Sequence, residues 1–297
     1  MTHSEISKIS GQYHYKLKPM LLRSGSAPAR KLFLVHDGTG RIEGYFKLCA
    51  EIHPDFNVYG IFLDPRINGT PKQLCLEDIA RSYVRQIQDI QASGLYYVAG
   101  WSIGGSIAFE MANQLEEQGH QVAFCGLLDP PPPGFYPLED AESFSSEHER
   151  EWIFPFIESN TYIRELSACS SLEQMWESLF AHAEEYIVNS DSLVAYVKER
   201  WPLPDHILFQ TKLLELLFSL NVIRTLHNSR VLYTPSRRLK AAVHVFGASV
   251  NPIVQLKEWN KYSLSTQHHL ISGNHYTMLQ SEHVRSFANQ LNAAMRS

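Results

Sequence analysis

The sequence holds no apolar run approaching the roughly 18 residues that a membrane-spanning helix requires, so no transmembrane segment is expected. Basic residues are not in excess. Twenty-six Lys and Arg stand against thirty-one Asp and Glu, a formal net charge of -5, which gives no global field for nucleic acid. The opening residues Met1-Thr2-His3-Ser4-Glu5 lack a charged segment followed by an apolar one, so no signal peptide is expected. Cysteine is scarce. Cys49, Cys75, Cys125 and Cys169 are widely spaced and form no Cys-x-x-Cys pair, which argues against a disulfide framework and for reduced thiols in a cytoplasmic protein. No set of His, Asp or Glu has the spacing of a zinc site, so no metal is expected. With 44% hydrophobic and 19% charged residues, 297 residues suffice for one large globular domain or two small ones.

What is present is an alternation. Residues 1 to 29 are polar and mixed and read as a lead-in or linker. Leu32-Phe33-Leu34-Val35 is a continuous apolar run of the kind buried on both faces of a sheet. A glycine turn, His36-Asp37-Gly38-Thr39-Gly40, follows it. Residues 57–63, 95–99 and 122–128 read as further strands. The segments between them carry helical spacing, clearest in Leu76, Ile79, Ala80, Tyr83, Val84, Ile87 and Ile90. This predicts an α/β fold with a mostly parallel, doubly wound sheet. From about residue 138 to 238 only helical patterns occur. Ser170 and Glu173 resemble a capping box, and Asp205 is placed to cap the helix through Leu213, Leu214, Leu217 and Leu220. The strand pattern resumes at residues 241–246 and 269–271, and a last helix carries Val284, Phe287 and Leu291. The arrangement predicts one domain over residues 30–297 with a helical lid insertion over about 138–238.

Chemistry concentrates at Gly100-Trp101-Ser102-Ile103-Gly104, between a strand and an amphipathic helix. This is the pattern of the nucleophile elbow of the α/β-hydrolase fold, in which flanking small residues allow a strained serine. Ser102 is the expected nucleophile, with Gly100 and Gly104 as the elbow glycines. Such a serine needs a base, and the base an orienting acid, in the chain order Ser, acid, His. His275, between the last strand and the last helix, is the expected base. His36, His53, His244, His268 and His269 read as structural. The stretch Gly247-Ala248-Ser249-Val250-Asn251-Pro252 has no carboxylate where many such hydrolases place the acid. One strand earlier Asp129 ends an apolar strand and precedes Pro130. Asp129 is the expected acid, with Glu258 in reserve. Backbone N–H groups of Ile103 and Gly38 are the expected oxyanion donors. The Gly38-Thr39-Gly40 turn lacks the Gly-Lys-Ser/Thr ending of a phosphate loop.

Together, Leu32-Phe33-Leu34-Val35-His36, Tyr97-Val98-Ala99-Gly100-Trp101-Ser102-Ile103-Gly104-Gly105, Ala108-Phe109-Glu110-Met111-Ala112, Leu127-Leu128-Asp129 and Gly273-Asn274-His275-Tyr276-Thr277-Met278-Leu279 resemble the terminal thioesterase domains of nonribosomal peptide and polyketide synthases. The acid one strand early, with the Gly-x-His-Tyr ending, sets the pattern apart from stand-alone editing thioesterases. Asp37 is a departure, since that family commonly has an uncharged residue there. The resemblance implies release of an acyl, peptidyl or polyketide chain from the phosphopantetheine arm of a carrier protein, through a Ser102 acyl-enzyme and by hydrolysis or macrocyclisation. It implies no cofactor of the enzyme's own. The expected partners are an acyl or peptidyl carrier protein and the acyl substrate, with neither nucleic acid nor membrane. No carrier domain precedes residue 20, so either a discrete protein or an excised synthase domain is expected.

Arg224, Arg230, Arg237, Arg238 and Lys240 cluster in a stretch without acidic residues between Glu215 and Glu258, and are candidates for docking an acidic carrier protein. An ordinary solvated basic face explains the same cluster. An esterase or acyltransferase on free esters or acyl-coenzyme A would use the same three catalytic residues. A non-catalytic binding scaffold is opposed by the presence of all three.

Overall fold

The computed structural model describes residues 18–63, 70–71, 74–187, 190–200, 212–250 and 253–296. In chain order the elements are β1 (Met20–Arg23), β2 (Arg30–Val35), α1 (Phe46–Glu51), β3 (Phe56–Ile61), α2 (Leu76–Gln88), β4 (Leu95–Trp101), α3 (Ile103–Glu117), β5 (Gln121–Leu128), α4 (Ser146–Ile153), α5 (Asn160–Ser167), α6 (Leu172–Tyr186), α7 (Ser190–Arg200), α8 (Leu213–Val231), β6 (Val243–Ala248), α9 (Ile253–Lys257), β7 (Thr266–Ile271) and α10 (Val284–Ala294). Two compact units emerge. One holds Met1–Asp64, Leu74–Ala141 and Leu226–Ser297, the other Pro65–Gln73 and Glu142–Thr225.

The first unit is built on a seven-stranded sheet in the order β1-β3-β2-β4-β5-β6-β7. Only β1 runs antiparallel, against β3. Strand β2 carries a continuous apolar run because both its faces are covered, and Leu32 through Val35 are fully buried. In α2, Leu76, Ile79, Ala80, Tyr83, Val84 and Ile87 are all buried on one helical stripe. Glu77 and Asp78 lie in its first turn and Arg85 in its last, so the charges complement the helix dipole. By contrast α3 is buried along its whole length from Ile103 to Leu115.

Strand β1 corrects the expectation of a linker through residue 29. It is a four-residue edge strand with no buried side chain, too short and too mixed for an apolar pattern to reveal it. Its pairing with β3, Met20 opposite Gly60 and Leu21 opposite Tyr59, is a tertiary contact.

The described residues of the second unit between Glu142 and Thr225 are mainly helical, where an insertion over about 138–238 was expected. Helix α8 begins in it and ends in the first unit. Its core gathers Trp152, Trp176, Leu179, Leu193, Leu217 and Leu220. Truncating a fully buried Trp such as Trp176 to alanine costs about 3–5 kcal/mol. The cap of α6 is Ser171, one residue beyond the expected Ser170. Its hydroxyl accepts from the Gln174 N–H at 3.2 Å, while Ser170 N–H and Oγ both donate to the Gln174 side chain. Asp205, expected to cap α8, lies outside the described residues.

Two buried histidines tie the first unit to pH. His36, at the end of β2, is sealed off, and its ring bridges the Asp37 carbonyl (2.6 Å) and the Tyr83 hydroxyl (2.7 Å). His244 on β6 lies 3.1 Å, Nδ1 to Nε2, from His269 on β7. Burial lowers each from 6.5 to about 4, aided at His244 by His269. The unfolded chain therefore takes up protons below pH 6.5 that the fold excludes. Their contribution is complete above that pH and is lost as pH falls toward 4. Urea unfolding should show stability declining from pH 7 to 5, with a shallower slope in His244→Gln. A flat profile over that interval would contradict this account.

Candidate active site

Strand β4 delivers its chain into α3 through a turn with no room for side chains at three positions. A Cβ on Gly100 would lie 2.1 Å from the Gly104 carbonyl oxygen, and one on Gly104 2.1 Å from the His36 carbonyl oxygen. A Cβ on Gly105 would meet the Pro130 ring at 2.8 Å. Between these contacts Ser102 adopts φ 57° and ψ -130°, a conformation that L-residues avoid. Its N–H donates to the Leu128 carbonyl at 2.9 Å, and its own carbonyl accepts from Gly105 N–H at 2.9 Å. The strain is thus held by packing and hydrogen bonds on both sides, and the serine remains partly accessible.

Asp129 follows β5 and is also in the positive-φ region, at 52°. It is buried. Its backbone N–H donates to the Phe246 carbonyl at 2.8 Å, which fixes it against β6. Oδ1 accepts from the Ala248 N–H at 2.9 Å and Oδ2 faces His275 Nδ1 at 2.7 Å. A carboxylate so placed fixes the histidine tautomer with Nδ1 protonated and Nε2 turned away as a proton acceptor. The stretch from Gly247 onward, which has no carboxylate, thus still contributes a backbone donor, Ala248 at the end of β6. Glu258, the reserve acid, pairs instead with Lys261 at the surface.

The loop that carries His275 is locked by its own side chains. Asn274 Oδ1 accepts from Tyr276 N–H at 2.9 Å and Thr277 N–H at 3.0 Å, and Thr277 Oγ1 accepts from Asn274 N–H at 2.8 Å. Gly273 stands at φ 96°, where a Cβ would meet Thr277 Oγ1 at 2.6 Å. The indole N–H of Trp101 donates to the His275 carbonyl at 3.1 Å, and the two rings lie 5.3 Å apart. Asn followed three residues later by Thr is a local signal of such a turn.

The turn after β2 meets the elbow at Gly38. A Cβ there would sit 3.9 Å from Ile103 Cγ2, an ordinary contact, so its small size leaves space rather than relieving a clash. The two expected oxyanion donors therefore belong to adjoining backbone segments. The positive φ of this turn falls at Gly40, at 79°. Asp37 is turned inward to its own loop, its Oδ1 accepting from Thr39 N–H (2.8 Å) and Thr39 Oγ (2.6 Å). Burial raises its carboxyl above the ordinary value.

Tyr45 joins these segments, and no sequence pattern pointed to it. Its buried hydroxyl donates to the Val35 carbonyl at 2.6 Å and accepts from the Trp101 N–H at 2.6 Å. One hydroxyl thereby clamps the strand end before Gly38 to the residue before Ser102.

The expected basic docking cluster is corrected. Arg224 is fully buried in the second unit, where its guanidinium pairs with Glu149 at 2.5 Å and Glu142 at 2.8 Å and lies 4.6 Å from the Trp152 ring centroid. Removing one member of such a buried group costs about 3–5 kcal/mol. Arg230 is packed over Tyr136, with 4.4 Å to the ring centroid. Arg237 donates to the Asn113 carbonyl at 2.6 Å and pairs with Glu116 and Glu117. Arg238, though exposed, donates through Nε to the Ser263 carbonyl at 3.1 Å. The Lys240 backbone N–H donates to Glu116 at 3.1 Å, and its side chain is exposed. The acids missing from the local sequence arrive from α3 and from Glu142 and Glu149 of the second unit, so the stretch is no continuous free basic face.

Among the described residues, no three His, Cys, Asp or Glu side chains converge as a metal would require. The four cysteines are unpaired: Cys49 and Cys125 are buried, Cys75 is exposed and Cys169 is intermediate. No helix among the described residues is long and apolar enough to cross a membrane.

Comparison with known proteins agrees with the geometry. The thioesterase-domain family matches residues 30–295. The chain is 37% identical over 123 residues (41% of its length) to a dimodular nonribosomal peptide synthase of Bacillus subtilis, and 38% identical over 112 residues (37%) to the microperfuranone synthase of Emericella nidulans. It spans only 5% and 11% of those proteins. Among solved structures, the Vlm2 thioesterase domain bound with a dodecadepsipeptide superposes with a TM-score of 0.61 at 21% identity, covering 93% of this chain and 97% of that one. The NocB thioesterase domain, in covalent complex with a fluorophosphonate nocardicin G analogue, gives 0.55 at 20% identity, covering 91% and 96%.

Tyr45→Phe removes the clamp while preserving the ring. It leaves two backbone groups unpaired and should lower unfolding free energy by about 1–3 kcal/mol. Fluorophosphonate labelling at Ser102 should slow roughly tenfold, the kinetic equivalent of about 1.4 kcal/mol. Labelling at the wild-type rate would show that the clamp does not position the elbow.

Proposed function

Since this chain belongs to the thioesterase-domain family, we propose that it releases a carrier-bound acyl chain through an acyl-enzyme on Ser102. The chain is a hydrolase acting on thioesters. The observation that carries the finer reading is the Asp129–His275 contact of 2.7 Å beside a serine held at φ 57°.

The acyl group arrives as a thioester on the phosphopantetheine arm of an acyl or peptidyl carrier protein. His275 Nε2 takes the Ser102 hydroxyl proton as Oγ adds to the carbonyl carbon. Asp129 keeps Nδ1 protonated and stabilises the imidazolium that forms. The N–H groups of Ile103 and Gly38 receive the oxyanion. The imidazolium then returns its proton to the departing thiolate, leaving an ester on Ser102. A second nucleophile, water or a group within the acyl chain, repeats the sequence and frees the product. The enzyme needs no cofactor for these steps, because charge develops only on oxygen, sulfur and imidazole.

Intact-protein mass spectrometry after mixing with acyl-loaded carrier protein should detect the acyl adduct in wild type and none in Ser102→Ala. Asp129→Asn should lower turnover by roughly 10³–10⁴ by imposing the wrong tautomer. Faster turnover of the matched acyl-coenzyme A than of the carrier-bound substrate would replace the carrier reading with that of an enzyme acting on free thioesters.

A further inference from the structure

Arg230 occupies the last turn of α8, within the first unit. Its guanidinium stacks over Tyr136, and one Nη donates to His227 Nδ1 at 2.9 Å. That acceptor is a neutral ring, since a nitrogen receiving a hydrogen bond from arginine carries no proton. The Nε–H is sealed from solvent and has no acceptor. Among the described residues no carboxylate pairs with Arg230, although the side chain keeps part of its surface accessible. This separates it from Arg224 and Arg237, whose charges are answered by glutamates. Burial accordingly lowers its pKa from the ordinary arginine value, with Tyr136 and Tyr276 acting the other way.

A desolvated cation without a counter-ion is costly to hold, and an anion that reaches it forms an unusually strong charge-assisted bond. The location says which anion. Tyr136 lies just beyond Asp129 along the chain. Tyr276 follows His275, and its ring packs edge-on against the imidazole at 5.1 Å. Arg230 is thus flanked by the segments that bear both members of the acid–base pair. The phosphodiester of a phosphopantetheine arm is held away from there, because the arm's whole length separates it from the reacting sulfur. An anion near the base belongs to the acyl portion.

We propose that Arg230, with Tyr136 and Tyr276, forms a subsite for a carboxylate carried by the acyl group. The proposal rests on the thioesterase reading above. Guanidinium and carboxylate pair in a planar fork, with the tyrosine rings confining the chain beside it.

The test uses N-acetylcysteamine thioesters of dicarboxylic acids of four to eight carbons, each as the free acid and as the neutral methyl ester. These probes carry no phosphate. Wild type should prefer the free acids. Arg230→Met should lower kcat/KM roughly ten- to hundredfold on the free acids and leave the methyl esters within about twofold, with partial recovery in Arg230→Lys. Equal losses on both series would make Arg230 a packing residue and overturn the subsite. So would wild-type preference for the methyl esters, a result that stands even where Arg230→Met fails to fold. Matched pantetheine and phosphopantetheine thioesters form the second arm, and a loss confined to the phosphorylated member would assign the cation to the arm and overturn the acyl assignment. Absence of turnover on every thioester would instead refute the thioesterase reading.

Discussion

The backbone of Gly104 approaches the His36 carbonyl so closely that a methyl group could not stand between them. That contact brings the helix after β4 against the end of β2, and it exists only because neither Gly104 nor its opposite, Gly100, has a Cβ. The chain between these glycines must turn within one residue, which forces Ser102 to positive φ. The same approach sets Ile103 beside Gly38. Widening the contact would relax the serine and separate the two expected oxyanion donors together, so the strained serine and the placing of those two N–H groups share one steric origin. Tyr45 reinforces the point of contact by satisfying one polar group from each strand end.

The base depends on a second backbone device. Asp129 is held at positive φ by a bond from its own N–H to β6, and its carboxylate is then shared between the Ala248 N–H and His275. Two strands therefore position one acid, and the acid positions the imidazole. Burial keeps water from competing for Oδ1 and Oδ2, which strengthens both bonds relative to their values in solvent.

Most of this was legible in the sequence where a single residue type had to meet a local demand. Continuous apolar runs marked β2, β4 and β5, because burial on both faces leaves no alternation to misread. The glycines around Ser102 marked the elbow, and a strand ending in Asp-Pro marked Asp129. What escaped the sequence involved partners distant along the chain. Strand β1 is defined by pairing with β3, Tyr45 acts on two main-chain groups, and Trp101 reaches a carbonyl far along the sequence. The basic run from Arg224 to Lys240 misled for the same reason. Net charge along a stretch does not disclose that Glu149 lies 75 residues away in sequence and 2.5 Å away in space from Arg224. Capping was displaced by one residue because adjacent serines, Ser170 and Ser171, offer the same chemistry and only backbone geometry chooses between them.

Trp101 carries a consequence for how the site is held together. Its main chain ends the strand that leads into Ser102, and its indole holds the carbonyl of His275, the expected base. The elbow at the end of β4 and the histidine loop are thus joined through one indole. A change at position 101 would therefore disturb the strand that ends at the elbow and the loop that carries His275 together.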